Sequence, residues 1–481
     1  MLFNSLSFFI FFPVVTILYF LVAHRYRWFL LLVASCIFYA YFIPAYILIL
    51  FITIVIDYTA GILIDREQGK KRKLYLVISI IANVGFLAIF KYYNFFIENT
   101  NRFFHGMHAG WHDWPYLNLI LPIGLSFHTF QSMSYTIEVY RRKQQPEQHF
   151  GIYALYVMYY PQLVAGPIER PQNMLHQFRE KQSFDYKRVT DGLKIMAWGM
   201  FKKVVIADSL AVVVSQFYHA PQNYSSLSAI FAIICFSFQI YCDFSGYSDI
   251  AIGSSKVMGI QLMRNFRQPY LSRSFSEFWQ RWHISLSSWF RDYVYIPLGG
   301  NRKGTFRKYL NIMIVFLLSG LWHGANWTFV VWGGLHGFFL VLSGVSDKKK
   351  VTSGKHLLKK VSSLGKIGLI FFFVSIAWIF FRSSSVNQAW HIMGIAGGDG
   401  HVASSLKNTL LAYNITPRKM LYLIAVVLLL LGVDLVQEKT DIVQFINSKP
   451  LVARWSCYFC IIFITIFFGV WGNQQFIYFQ F

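Results

Sequence analysis

The chain has 481 residues, 56% of them apolar and only 14% charged, with a mean hydropathy of +0.44. Soluble domains carry roughly 25% charged residues, so this composition excludes the two or three soluble domains that the length alone would allow. It also excludes intrinsic disorder. The net charge of +23, from 44 basic and 21 acidic residues, lies mostly in short loops between apolar runs. That is the positive-inside pattern of a membrane protein, and nucleic acid is not an expected partner.

The fold class is therefore all-α, a polytopic integral membrane protein. Four of the five cysteines (Cys36, Cys235, Cys242, Cys457 and Cys460) lie in apolar runs, which excludes a disulfide scaffold. No basic residue precedes the first apolar run and no small-x-small site ends it, so a cleavable signal is not expected.

A spanning helix needs ~20 mostly apolar residues. In chain order the candidates begin with Ser7 to Val22, Trp28 to Phe42, Ala45 to Ile64, Leu74 to Phe90 and Leu119 to Tyr140. Then come Tyr153 to Val164, Val189 to Tyr218, Ser226 to Tyr241, Phe275 to Tyr295, Tyr309 to Trp322 and Asn326 to Ser343. The last three are Ile367 to Phe381, Leu421 to Val436 and Trp455 to Val470. Tyr153 to Val164 and the stretch Asp243 to Met258 are expected to be re-entrant or buried pieces, since irregular or polar backbone survives at membrane depth only inside protein or beside water. About 11 true crossings are expected, with boundaries the weakest part of the reading. Basic loops at Asp65 to Lys73, Arg141 to Lys143 and Asp347 to Lys366 are expected on the cytoplasmic side. That leaves the N-terminus, Tyr92 to Asn118, Ser383 to Pro417 and Gly472 to Phe481 outside. No internal repeat is visible, and the unusual features cluster within Asp243 to Gly337, which argues against an inverted-repeat transporter.

Ionisable residues inside apolar segments are costly and are functional candidates by default. They are Asp57, His128, Glu138, Glu169, Asp208, Asp243, Asp249, Glu277, His283, Asp292, His323 and His336. Glu277 and Arg281 are four apart and can pair on one helix face. His323 stands out because Gly320 and Gly324 flank it, and glycine permits close approach of another chain or a ligand. Asn326 shares its face if the helix continues. An imidazole can take the proton of an attacking hydroxyl, and a neighbouring amide can stabilise an oxyanion. His336, thirteen residues on, falls on another face of an ideal helix and is read as structural. Cys457 and Cys460 form a CxxC read as packing. His105, His108 and His112 have metal-like spacing, but no metal site is expected there. No Walker A, GxSxG, HExxH or Rossmann fingerprint is present.

Three blocks carry a resemblance. They are Tyr241 to Asp249 (YCDFSGYSD), Glu277 to Asn301 (EFWQRWHISLSSWFRDYVYIPLGGN) and Leu321 to Asn326 (LWHGAN). With Ile123 to Phe127, Val164 to Ile168 and the terminal Tyr478 to Phe481, they resemble the membrane-bound O-acyltransferase family, in its alginate O-acetylating branch. The resemblance covers most of the chain. It implies one transmembrane domain over 1–481, with N-terminal helices at 1–140, a catalytic core at 141–345 and C-terminal helices at 346–481, arranged around a funnel. It implies that His323 is catalytic and that His283 is its companion on the cytoplasmic side. Trp282 would line the donor entrance with His283, while Asp243 and Tyr247 would brace the funnel. The implied activity is O-acyl transfer in the bacterial inner membrane, without a cofactor. A cytoplasmic thioester, acetyl-CoA, would be the donor, and an exported or cell-surface polysaccharide, alginate-like, the acceptor. A periplasmic acetyltransferase is the implied partner. The short Leu298 to Gly304 continuation favours acetyl over D-alanyl transfer to teichoic acid. A channel for an anionic metabolite or glycan, and a non-catalytic scaffold, are the rival classes.

Overall fold

The computed structural model describes residues 1–107, 112–353, 363–399, 405–472 and 476–477, without the side chains of 346–353 and 399. Helices and the turns between them make up these residues, with no strand among them. Among the described residues, seven helices are long and apolar enough to cross a membrane: Pro44–Arg66, Gly69–Gly106, Ser226–Val257, Trp327–Val345, Ser363–Arg382, Pro417–Gln437 and Leu451–Phe468.

The described chain divides into two compact units. The first comprises Met1–Met196 and Ser248–Met263, the second Ala197–Tyr247 and Arg264–Phe481. In the first unit, Ile47–Arg66, Gly69–Leu87 and Leu125–Tyr140 pack around a polar centre. Asp57 is fully buried and accepts hydrogen bonds from Ser79 Oγ at 2.6 Å and from Asn83 Nδ2 at 2.9 Å. A buried carboxylate is tolerable only when so satisfied, so Asp57 has a structural assignment. Glu138 pairs with Arg141 at 3.2 Å and accepts from Gln172 at 2.8 Å. Glu169 accepts from Asn173 Nδ2 at 2.6 Å and from the Met263 backbone N–H.

Two expectations change here. The stretch Asp243 to Met258 is not a separate re-entrant piece. It is the second half of one 32-residue helix, Ser226–Val257, and Phe244, Ser248, Ile250, Ala251, Ser254 and Val257 along it are buried. Small residues explain the continuity: a Cβ at Gly246 would lie 2.7 Å from the Gly199 carbonyl oxygen, so the polar half is covered by close backbone packing. The helix beginning at Gly69 also runs beyond Phe90, through a π turn at Ala88–Tyr92, to Gly106. Asn94 and Asn101 on its last turns hold the following chain, through Asn94 Nδ2 to the Leu117 carbonyl at 2.8 Å and Asn101 Nδ2 to the Trp114 carbonyl at 3.2 Å. The Tyr153 to Val164 region is buried throughout, as expected, and is divided between the helices Phe150–Met158 and Tyr160–Leu163.

The second unit is built on a helical hairpin. Gly304–His323 and Trp327–Ser353 run antiparallel, joined by three residues. A Cβ at Gly320 would lie 2.2 Å from the Phe329 carbonyl oxygen, and one at Gly333 would lie 2.2 Å from that of Phe316. The glycines that flank His323 therefore admit the partner helix of the same chain. Gly320→Ala is expected to cost about 1–3 kcal/mol, because an added methylene must displace backbone. A lower melting temperature of the detergent-solubilised protein would register it, and an unchanged one would refute the close packing.

Candidate active site

His323 is the last residue of Gly304–His323, because Gly324 leaves the helix in an extended conformation (φ −165°, ψ 151°). The imidazole is buried, 4% exposed. Its ring lies 5.0 Å from Trp322, 4.9 Å from Trp332 and 5.3 Å from Phe381, measured between centroids. Both rings that meet it edge-on along the hairpin are tryptophans, so the imidazole is held in place by rigid neighbours.

His283 occupies the break between two short helices, Phe275–Arg281 and Ile284–Phe290. Its backbone is left-handed (φ 43°, ψ 55°). A side-chain-bearing residue held there costs of order 1–3 kcal/mol and persists only where the surroundings fix it. They do: Ile284 N–H donates to the Asn265 carbonyl at 2.9 Å, and Arg267 N–H to the Arg281 carbonyl at 2.9 Å. The His283 ring is fully buried, 4.5 Å from Phe244 and 6.2 Å from Trp322. Trp322 thus touches both motif histidines, and the two blocks that carry them come together.

Arg281 fastens the same break. Its guanidinium pairs with Glu277 at 2.6 Å, as the i,i+4 spacing predicts, and also with Glu438 at the end of Pro417–Gln437. Burial opposes its charge, but the two carboxylates outweigh that and hold its pKa above the ordinary arginine value.

Trp282 is buried in a layer of rings, stacked on Phe278 at 5.5 Å and against Trp378 at 5.0 Å. Asp243 is committed to structure. One oxygen pairs with Lys203 at 2.7 Å and the other accepts the Ile477 backbone N–H at 2.7 Å. Tyr247 lies 4.9 Å from the Phe476 ring, so both residues anchor the chain's last described residues. The terminal Tyr478 to Phe481 lies outside the described residues.

The condition set for Asn326 does not hold. The helix stops at His323, and Asn326 caps the next one instead. Its Oδ1 accepts the Thr328 N–H at 3.0 Å, and its Nδ2 donates to the Ser384 carbonyl at 3.1 Å. The ideal-helix argument that separated His336 from His323 fails for the same reason. Because the hairpin folds back, Trp332 meets His323 at 4.9 Å and His336 at 5.0 Å.

Three residues were not read from the sequence. Lys203 lies between Asp208, at 2.8 Å, and Asp243. Its signal was a lysine pair, Lys202 and Lys203, inside an apolar run. Trp332 and Asn265 gave no signal beyond their residue types. Cys457 and Cys460 are exposed on Leu451–Phe468, not packed against the rest of the chain. His105 pairs with Asp113 at 2.7 Å on the surface, His108 lies outside the described residues, and no cluster of metal-ligating residues occurs among those described.

Comparison with known proteins gives a match to the membrane-bound O-acyltransferase family over residues 36–349. The probable alginate O-acetylase AlgI of Pseudomonas aeruginosa is 38% identical over 395 residues, covering 82% of this chain and 74% of that protein. The peptidoglycan O-acetyltransferase of Helicobacter pylori is 36% identical over 402 residues, covering 77% and 74%. The teichoic acid D-alanyltransferase of Streptococcus thermophilus is 28% identical over 250 residues, covering 48% and 59%.

Proposed function

Because the chain belongs to the membrane-bound O-acyltransferase family, and is a multi-pass membrane O-acyltransferase, we propose that it transfers acetyl groups from a cytoplasmic thioester, acetyl-CoA, towards an exported or cell-surface polysaccharide. It works in the bacterial inner membrane, with a periplasmic acetyltransferase completing the modification. The observation that carries this reading is the breadth of likeness. Identity to alginate and peptidoglycan O-acetylating relatives is 36–38% over most of the chain, against 28% over about half for the D-alanyl relative. Acetyl is therefore the better-supported group, and an alginate-like glycan or peptidoglycan the better-supported acceptor.

In the proposed reaction an imidazole nitrogen of His323 takes the proton of the acceptor hydroxyl. The oxygen bonds to the acetyl carbon, the carbon–sulfur bond breaks, and the thiolate leaves and is protonated. The basic loops on the donor side attract the phosphates of the thioester. The buried, ring-walled setting of His323 supports this role, since an imidazole held in one orientation loses little freedom at the moment of reaction.

The test is acetyl-CoA labelled in its acetyl group, supplied to proteoliposomes with candidate acceptors on the opposite side. Label is expected on the acceptor, with one thiol released per acetyl transferred. Glycan or metabolite flux without thioester consumption would instead make the protein a channel.

A further inference from the structure

We propose that Asn265 is a positioning residue that holds His283 as its Nδ1–H tautomer, leaving Nε2 as the nitrogen that exchanges a proton with the sulfur of the acyl donor. The inference rests on the reading given under Proposed function and adds a named atom to it.

Asn265 is fully buried, in the loop that precedes Phe275–Arg281. One atom of its side chain, Oδ1, meets three groups: the Ser285 backbone N–H at 3.2 Å, Ser285 Oγ at 2.9 Å and His283 Nδ1 at 3.1 Å. The identity of that atom is decided by the backbone. A peptide N–H can only donate, so the side-chain atom facing Ser285 N–H is the carbonyl oxygen and not the amide nitrogen. An oxygen that faces His283 Nδ1 can only accept from it. The proton of the neutral ring therefore sits on Nδ1, and the lone pair sits on Nε2.

The arrangement is reinforced from both sides. The Asn265 backbone carbonyl holds Ile284 N–H at 2.9 Å, so main chain and side chain of one residue grip consecutive positions of the His283 turn. The left-handed backbone of His283 sets where the ring points, and Phe244 and Trp322 wall it. Fixing a tautomer through the second nitrogen is how proteins commonly assign a histidine its working atom.

Asn265 Oδ1 accepts Nδ1–H in both the neutral and the protonated ring, so the grip persists through a cycle. The protonated ring gives its Nε2 proton to the departing thiolate, forming the S–H bond, and returns to the neutral Nδ1–H form. It then regains a proton from the medium, while the hydroxyl proton taken by His323 is released, so protons balance over one turnover.

The charged and titratable groups carried beside the walls of this ring are His323, next to Trp322, and Asp243 and Tyr247, near Phe244. In its own loop and short helix they are Arg264, Arg267, Tyr270, Arg273, Glu277 and Arg281. Their contributions are common to every Asn265 variant, so a difference between variants reports on the Asn265 contact.

Asn265→Leu keeps the volume and removes the acceptor, and is expected to lower kcat roughly ten- to hundredfold with the KM for acetyl-CoA little changed. Asn265→Asp keeps the acceptor and adds a negative charge. It is expected to recover most of the rate lost in Asn265→Leu and to move the His283 limb of the pH profile to higher pH. Nitrogen NMR of histidine-labelled wild-type protein, with His283→Asn subtracted, should place the proton on Nδ1. A proton found on Nε2, or an Asn265→Leu variant with wild-type kcat and pH profile, overturns the inference. No transfer of acetyl from acetyl-CoA by the wild-type protein would instead overturn the functional reading, whatever the Asn265 variants do.

Discussion

His323→Ala is expected to reduce acetyl transfer by about 10²–10⁴-fold, the range that general acid–base groups supply, while the protein remains inserted and folded. The expectation of an intact fold follows from position. His323 ends its helix, the backbone there is already turning out through Gly324, and the walls of the site belong to Trp322, Trp332 and Phe381. Removing the ring leaves a gap among large aromatics and leaves the close glycine packing of the hairpin untouched. The readouts are labelled acetyl on the acceptor, thiol released, and elution as a single species in detergent. A variant that elutes normally and still acetylates at the wild-type rate would remove His323 from the reaction.

Lys203→Met should have the largest effect on stability, a loss of about 3–5 kcal/mol, the usual result of removing one partner from a buried ion pair. Lys203 is 9% exposed at its side chain and sits between Asp208 at 2.8 Å and Asp243 at 2.7 Å. Without the ammonium, two carboxylates face each other in an apolar setting, and one of them also holds the Ile477 N–H. Thermal denaturation in detergent would measure the loss. Adding Asp208→Asn and Asp243→Asn should restore part of it, because neutral amides have no charge to leave stranded. A Lys203→Met variant as stable as the wild type would mean that the lysine does not neutralise this cluster.

How far the sequence could be read depended on how local each signal was. The pairing of Glu277 with Arg281 is a property of one helical turn, and the structure has it at 2.6 Å. That Glu438, 157 positions away, joins the same guanidinium is not encoded nearby, and it was not foreseen. His323 and His283 were legible as candidates because polar residues are costly among apolar ones. Their meeting through Trp322 needed the fold. The faces assigned to Asn326 and His336 relative to His323 assume a helix continuing through Gly324, where the chain in fact turns back; His336 is buried among rings, in keeping with its structural reading. Asn265 was invisible because asparagine in a loop is ordinary, and only the backbone hydrogen bonds around it give its side chain a meaning. The burial of Asp243 to Met258 is legible in the sequence and its continuity with the preceding helix is not, because polar residues inside an apolar run mark a broken segment as readily as a covered one.

The hairpin has a consequence for biogenesis. Gly304–His323 is twenty residues long yet is not one of the seven apolar spans, since Arg307, Lys308 and Asn311 occupy its first half. Trp327–Val345, which follows it, is such a span. The backbone of the first helix is sheathed by the second at Gly320 and Gly333, so the semi-polar helix finds its complement only after the ribosome has made Trp327–Val345. The segment that bears His323 is in this sense a passenger of its successor, and the two must leave the translocation machinery as a pair.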